Sequence, residues 1–257
     1  MFKFNAVLFI SLLLFSVQAF ACDCSYSLLT KNFESAKFVA KIKFLDIPPD
    51  FTDEEYHDAD IQVLEVYKGS RLSTIKIHSW LNSSCAFMPS VNSTWIVFAD
   101  EWQGKLSFHY CSGSFDLTRT FNDPEYPDAD RNYSKEIKLK EQVLDFFSKQ
   151  RISKVNAGGL SVSPQGLKMI KGYKNNNRFA VFQINVNANL SITKVSSLKK
   201  FNNRNLQQAV LRSVEHSTIG ADASKGQQLS APKSVILVVY FYEQWKSDKS
   251  FVSMIDL

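Results

Sequence analysis

The first half of the chain is marked by residues that alternate between apolar and polar. Phe38, Ala40, Ile42 and Phe44 alternate with Lys41 and Lys43, the two-residue period of a strand with one buried face. The same period returns over residues 61–66, which end at the Lys68-Gly69-Ser70 turn, and over 74–80, and two further strands are expected at 95–99 and 106–110, the last entering Cys111. Five short strands so spaced predict a small closed barrel of the OB type, since closure removes exposed sheet edges. Helical spacing takes over at residues 26–37, where Leu28, Leu29, Phe33 and Ala36 share a face and Ser25 is the expected cap. It returns at 135–149, where Ser134 is the expected cap and Ile137, Leu139, Val143, Leu144, Phe146 and Phe147 form a broad apolar face.

Two stretches interrupt the pattern. Residues 50–60 hold Asp50, Asp53, Glu54, Glu55, Asp58 and Asp60, a charge run that reads as a solvated loop. Residues 116–133, with Pro124 and Pro127, read as a connection. Asn156-Ala157-Gly158-Gly159 then reads as a domain boundary, because flexible residues follow the end of a helix there. Beyond it come a strand at 179–186, a turn at 187–189, a partner strand at 190–196, an amphipathic helix at 205–214 and a Val/Ile/Tyr-rich strand at 234–242. The expected fold class is mainly β plus α+β. An OB-like barrel with flanking helices spans 22–152, and a small α+β domain spans 153–257.

The first 21 residues change the picture of compartment. Lys3, the apolar run from Val7 to Val17 and Ala19-Phe20-Ala21 have the form of a secretory signal peptide, shorter than the roughly 20 apolar residues that span a bilayer. Cleavage after Ala21 would make Cys22 the first residue and leave no stable membrane span. The chain has 30 basic and 25 acidic residues, with no aromatic-rich basic run, so nucleic acid is not the expected partner. Cys22, Cys24, Cys85 and Cys111 are an even set in a chain expected to be secreted or periplasmic, which favours two disulfides over a zinc knuckle. Their spacing alone leaves three pairings open. Asn82, Asn92, Asn132 and Asn189 each begin an Asn-x-Ser/Thr sequon.

Cys22-Asp23-Cys24-Ser25, Val66-Tyr67-Lys68-Gly69, Ser83-Ser84-Cys85 and Tyr110-Cys111 together resemble the tissue inhibitors of metalloproteinases and the wider netrin-like module, over roughly residues 22 to 115. The resemblance implies disulfides Cys22–Cys85 and Cys24–Cys111. It also implies a protein-binding ridge of Cys22, Asp23, Cys24, Ser25, Ser83 and Ser84. The α-amine of Cys22, with a pKa near about 8, and the Cys22 carbonyl would chelate the catalytic zinc of a partner protease in place of its hydrolytic water. Asp23 stands where these inhibitors carry a small residue entering the protease specificity pocket, and burying its carboxylate there carries a desolvation cost. The family's third N-terminal disulfide and its cysteine-rich C-terminal domain are missing. Residues 155–245 resemble, in pattern, the C-terminal domain of TonB energy transducers, which implies a bacterial envelope protein.

No enzyme motif is present: there is no His-Glu-x-x-His, Gly-x-Ser-x-Gly or phosphate-binding loop. His57, His78, His109 and His216 are well separated, and each reads as a surface or strand residue. No cofactor is expected. The expectation is an exported protein-binding protein, not an enzyme, acting as a metalloproteinase inhibitor or as an envelope adaptor.

Overall fold

The computed structural model describes residues 24, 28–49, 55–156, 158–220 and 231–256. The expected leader, Cys22, Asp23 and Ser25 lie outside the described residues, as does the first part of the acidic run. Strand β1, Phe38–Asp46, is the spine of the first half. Phe38, Ala40, Ile42 and Phe44 are buried while Lys41 and Lys43 stay half-exposed. β1 pairs on one side with β2, Tyr56–Lys68, and on the other with β4, Thr94–Trp102. With β3, Thr74–His78, and β5, Lys105–His109, the hydrogen-bonded circuit runs β1-β2-β3-β5-β4 and back to β1, a closed five-stranded OB-like barrel. Register shifts along the β1–β2 pair bend these long strands so that the circuit can close. Phe38, Ile42, Phe44, Ile61, Ile77 and Phe108 fill the interior. A two-residue strand β6, Phe115–Asp116, adds to the outer edge of β4.

Three helices occur among the described residues: α1, Leu29–Ser35; α2, Ala129–Lys149; and α3, Arg204–Glu215. A second sheet has the order β12-β11-β8-β9, with β8 at Phe179–Val186, β9 at Ile192–Lys199, β11 at Lys233–Tyr242 and β12 at Phe251–Ser253. β7, Ser161–Ser163, and β10, Thr218–Gly220, form a small two-stranded pair. The near-continuous apolar runs of β8 and β11 have a physical reason, since both faces of this sheet are covered. Phe182, Ile184 and Val239 pack with α3 through Leu206, Val210 and Val214. Phe179, Val181, Val238 and Tyr240 share a core with Leu139, Val143, Leu144 and Phe147 of α2 and with Phe33 of α1. α2 therefore belongs to the packing of both halves.

Several boundaries differ from the sequence reading. Residues 56–60 are strand, not loop: Ala59 is buried while Asp58 and Asp60 face out, and Lys76 Nζ meets Asp58 Oδ1 at 2.6 Å. The acids mark an outward face of β2, where charge is compatible with pairing. α1 starts at Leu29, and its cap residue Leu28 makes no side-chain cap bond. α2 starts six residues before the expected first turn, so Ser134 lies inside it. The extra turns are anchored by tertiary bonds: Tyr133 Oη donates to Asp116 O at 2.6 Å, and Asp130 Oδ1 accepts Phe121 N–H at 2.6 Å. In α3, Asn203 caps as its chemistry suggests, its Oδ1 accepting from the N–H groups of Asn205 and Leu206 at 3.0 and 3.1 Å. Among the described residues no helix is long and apolar enough to cross a membrane.

Candidate functional site

β3 and β5 pair in parallel with His78 opposite His109, so both strands leave the barrel at the same end. β3 passes into the loop that carries Ser83, Ser84 and Cys85, and β5 passes into the turn that carries Cys111. The rings of Phe87 and Tyr110, 6.0 Å apart, join the two segments. Phe87 also meets Trp95 and Phe108 edge-on at 5.5 and 5.7 Å, closing the barrel beneath them.

Each segment is fixed at its root. Ser79 is buried; its Oγ accepts Phe87 N–H at 2.8 Å, and its carbonyl accepts the His57 Nε2 proton at 3.0 Å. Higher in the loop, Ser83 Oγ donates to Trp80 O at 2.8 Å and accepts Cys85 N–H at 3.1 Å. The Ser83 hydroxyl is thus spent in shaping the loop, a turn role rather than a nucleophile's. In the other segment, Ser112 N–H donates to His109 O at 2.9 Å and Cys111 N–H to His109 Nδ1 at 3.2 Å. The second bond requires an unprotonated Nδ1, which fixes a neutral tautomer. Gly113 has φ +80°, and a Cβ there would collide with the Asn32 side chain, so the turn runs close against α1.

Cys24 and Cys111 are joined in a disulfide, with Cα atoms 5.3 Å apart across 87 residues of sequence. Cys85 is also disulfide-bonded. Cys22, its implied partner, lies outside the described residues, together with Asp23 and Ser25; Cys24, Ser83 and Ser84 are the expected ridge residues that are described. Around them the surface is unusually apolar for loop tips, with Trp80 57%, Leu81 48% and Tyr110 54% exposed.

His78 and His109, distant in sequence, are brought to ring centroids 6.2 Å apart. His78 stacks on Tyr56 at 4.7 Å and lies 4.0 Å from Glu55, while the Lys105 ammonium sits 4.0 Å over the Tyr56 ring. Desolvation of the inner side of the His109 ring, aided by the nearby His78, pushes its imidazole below the ordinary histidine value. Neither histidine was marked by its own neighbours in sequence. Only the parallel β3–β5 pairing aligns them, so the available signal was the topology rather than a motif. Among the described residues no group of three or more His, Cys, Asp or Glu side chains is placed to hold a metal ion.

The far end of the chain returns to this site. Asp256 is buried; its Oδ1 accepts Leu29 N–H at 3.3 Å, and its Oδ2 lies 3.6 Å from Lys140 Nζ of α2. These residues, with Cys24 and Cys111, line a small cavity of 260 Å³ behind the disulfide. The N-terminal helix, the disulfide and the C-terminal residues are therefore held as one assembly. No protein-family model matches this chain, and it has no significant match among curated proteins.

Proposed function

We infer that the chain is an exported protein-binding protein that docks through this barrel end, and that it inhibits a zinc metalloproteinase through the α-amine and carbonyl of Cys22. The observation that supports the reading is the staple between Cys24 and Cys111 at the end where β3 and β5 exit together. A terminus beginning two residues before Cys24 is tied to a rigid turn, so little chain entropy opposes its insertion into a cleft. The neutral fraction of the amine would displace the partner's zinc-bound water, and the carbonyl would complete the chelate. Asp23 directs this activity away from proteases with an apolar specificity pocket and toward one that offers a cation or donors there.

The test is to compare the mature chain with two forms that lack the free terminal amine, one extended by a single alanine before Cys22 and one Nα-acetylated. Inhibition of at least one enzyme in a zinc-protease panel by the unmodified chain, lost in both altered forms while the thermal transition stays in place, is the expected result. No inhibition by the unmodified chain ends the reading. A second reading, an envelope adaptor without inhibitory activity, is favoured by the exposed Trp80, Leu81 and Tyr110, which suit protein contact with no zinc involved. It predicts partner binding that survives acetylation and weakens with Trp80→Ala.

A further inference from the structure

β11 ends at Tyr242, and Glu243 and Gln244 lead from it into a tight turn closed by two main-chain bonds. Trp245 N–H donates to Asp248 O at 3.2 Å, and Asp248 N–H to Trp245 O at 2.8 Å. Lys246 takes a left-handed φ of 50° within this turn. The turn holds Trp245 at the surface with 56% of its area exposed. The residue does not stand alone on a convex surface. It lines a cleft of 690 Å³ between the end of the second sheet and the first turns of α2, a volume within the range of small-ligand sites.

The chemistry of the walls narrows what can enter. Two cations, Lys135 and Arg178, are balanced by two carboxylates, Glu136 and Glu243, so the lining carries no net charge. The Arg178 Nε is spent on Phe241 O at 3.2 Å, which fixes the guanidinium, while its two terminal nitrogens make no bond among the described residues. Glu136 is engaged by Lys140 at 2.5 Å. Glu243 and Asn132 make no side-chain bond among the described residues, and Gln244 uses only its amide nitrogen, on Lys246 O at 3.4 Å. Donors and acceptors thus line the cleft next to the exposed indole of Trp245, while the Tyr242 ring is already stacked on Phe251 at 4.9 Å.

A phosphate or other polyanion would meet Glu243 and Glu136 at close range. A wholly apolar ligand would strand Arg178, Asn132 and Glu243 without water or partner, at a cost of a few kcal/mol for each buried polar group. A neutral polyhydroxylated ligand avoids both penalties. Its hydroxyls donate to carboxylate and amide oxygens and accept from guanidinium and amide nitrogens, and a C–H face lies against the indole of Trp245. We propose that this cleft binds a neutral oligosaccharide, with Trp245 as the stacking platform and Arg178, Glu243 and Asn132 as the hydrogen-bonding groups.

The experiment uses the full chain, disulfides formed, from a bacterial host that leaves the Asn132 sequon unmodified. Cellohexaose, chitohexaose, maltohexaose and, as the charged control, hexagalacturonate are titrated by calorimetry and tryptophan fluorescence. Saturable binding of at least one neutral hexasaccharide is expected, with the anionic one binding at least tenfold more weakly. Trp245→Ala should weaken binding at least tenfold, Trp245→Phe should restore most of it, and Glu243→Gln should weaken it severalfold. Both positions are exposed, so the variants should keep the parent melting temperature. Absence of millimolar or tighter binding to every neutral sugar, preference for the anionic sugar, or an unchanged affinity in Trp245→Ala each overturns the proposal.

Discussion

Glu34 Oε2 of α1 accepts the main-chain N–H groups of Val155 and Asn156, 121 and 122 residues further along, at 2.5 and 2.9 Å. Val155 in turn gives its carbonyl to Ile236 N–H of β11 at 2.7 Å. The segment entering the second sheet is therefore clamped between α1 and an inner strand of that sheet. Replacing Glu34 with Ala leaves two part-buried donors without their anionic acceptor. Hydrogen bonds to charged groups contribute about 1.5–3 kcal/mol each, and partial rehydration brings the expected loss to about 2–3 kcal/mol. Urea unfolding of Glu34→Ala should show this, with Glu34→Gln losing less. A loss below about 0.5 kcal/mol, the level of an ordinary surface substitution, would mean that water replaces the carboxylate at no cost.

The Cys24–Cys111 bridge closes a loop across 87 residues. Under a chain-entropy account a loop of this length stabilises the fold by about 4–5 kcal/mol, with strain subtracting from that figure. The Cys24→Ser/Cys111→Ser double variant should therefore melt well below the parent while retaining the Cys85 bridge. Comparing the two melting curves without reductant checks the effect on this bridge alone. An unchanged melting temperature would show that Asp256 and the packing of α1 already hold the terminus.

β1 and β5 were legible in the sequence because polar residues alternate with their core positions, and β4 because its apolar run, 95–99, is buried on both faces; all three fall within a few residues of their expected positions. β11 was legible by its uninterrupted apolar run, 235–242, which one-sided alternation could not have supplied. Harder to read were residues whose state is set by distant partners. Tyr56–Asp60 carry three acids' worth of loop signal together with Glu55, yet pair with β3 because the acids point outward. The early turns of α2 are fixed by Asp116 and Phe121, which no local periodicity encodes. The same applies to the site: the cysteines and the Ser83-Ser84 pair could be picked out by residue type, whereas the His78–His109 pair, Phe87 and Tyr110 converge only once β3 and β5 lie parallel.

His109 gives the barrel end a pH dependence whose sign can be worked out. Its folded-state pKa lies below the ordinary histidine value of about 6.5, so the unfolded chain binds the proton more tightly. The stability it contributes is fully present above the unfolded pKa and is lost as pH falls through the folded one. Protonation also removes the Nδ1 acceptor of Cys111 N–H. Glu55 lies beside His78, and the Lys105 ammonium lies over the Tyr56 ring. Melting temperatures between pH 8 and pH 5 should fall more steeply for the parent than for His109→Gln, which cannot take up the proton. Parallel profiles for the two would remove His109 as the source of the dependence.

Phe147 is fully buried in α2, its ring 5.0 Å from that of Phe33 in α1 and 6.5 Å from that of Phe146, which meets Phe179 of β8 at 6.2 Å. A continuous run of aromatic contacts thus links the helix on the barrel to the second sheet. Phe147→Ala would open a cavity where these layers meet, at an expected cost of about 3–5 kcal/mol. Because α2 supplies core residues to both halves, the loss should be felt on both sides of it. Amide hydrogen exchange in β4 and in β8 should accelerate together in the variant, by similar factors at the most protected sites. Faster exchange in β8 with β4 unchanged would instead identify the second sheet as a separate unfolding unit, with Phe147 stabilising that unit alone.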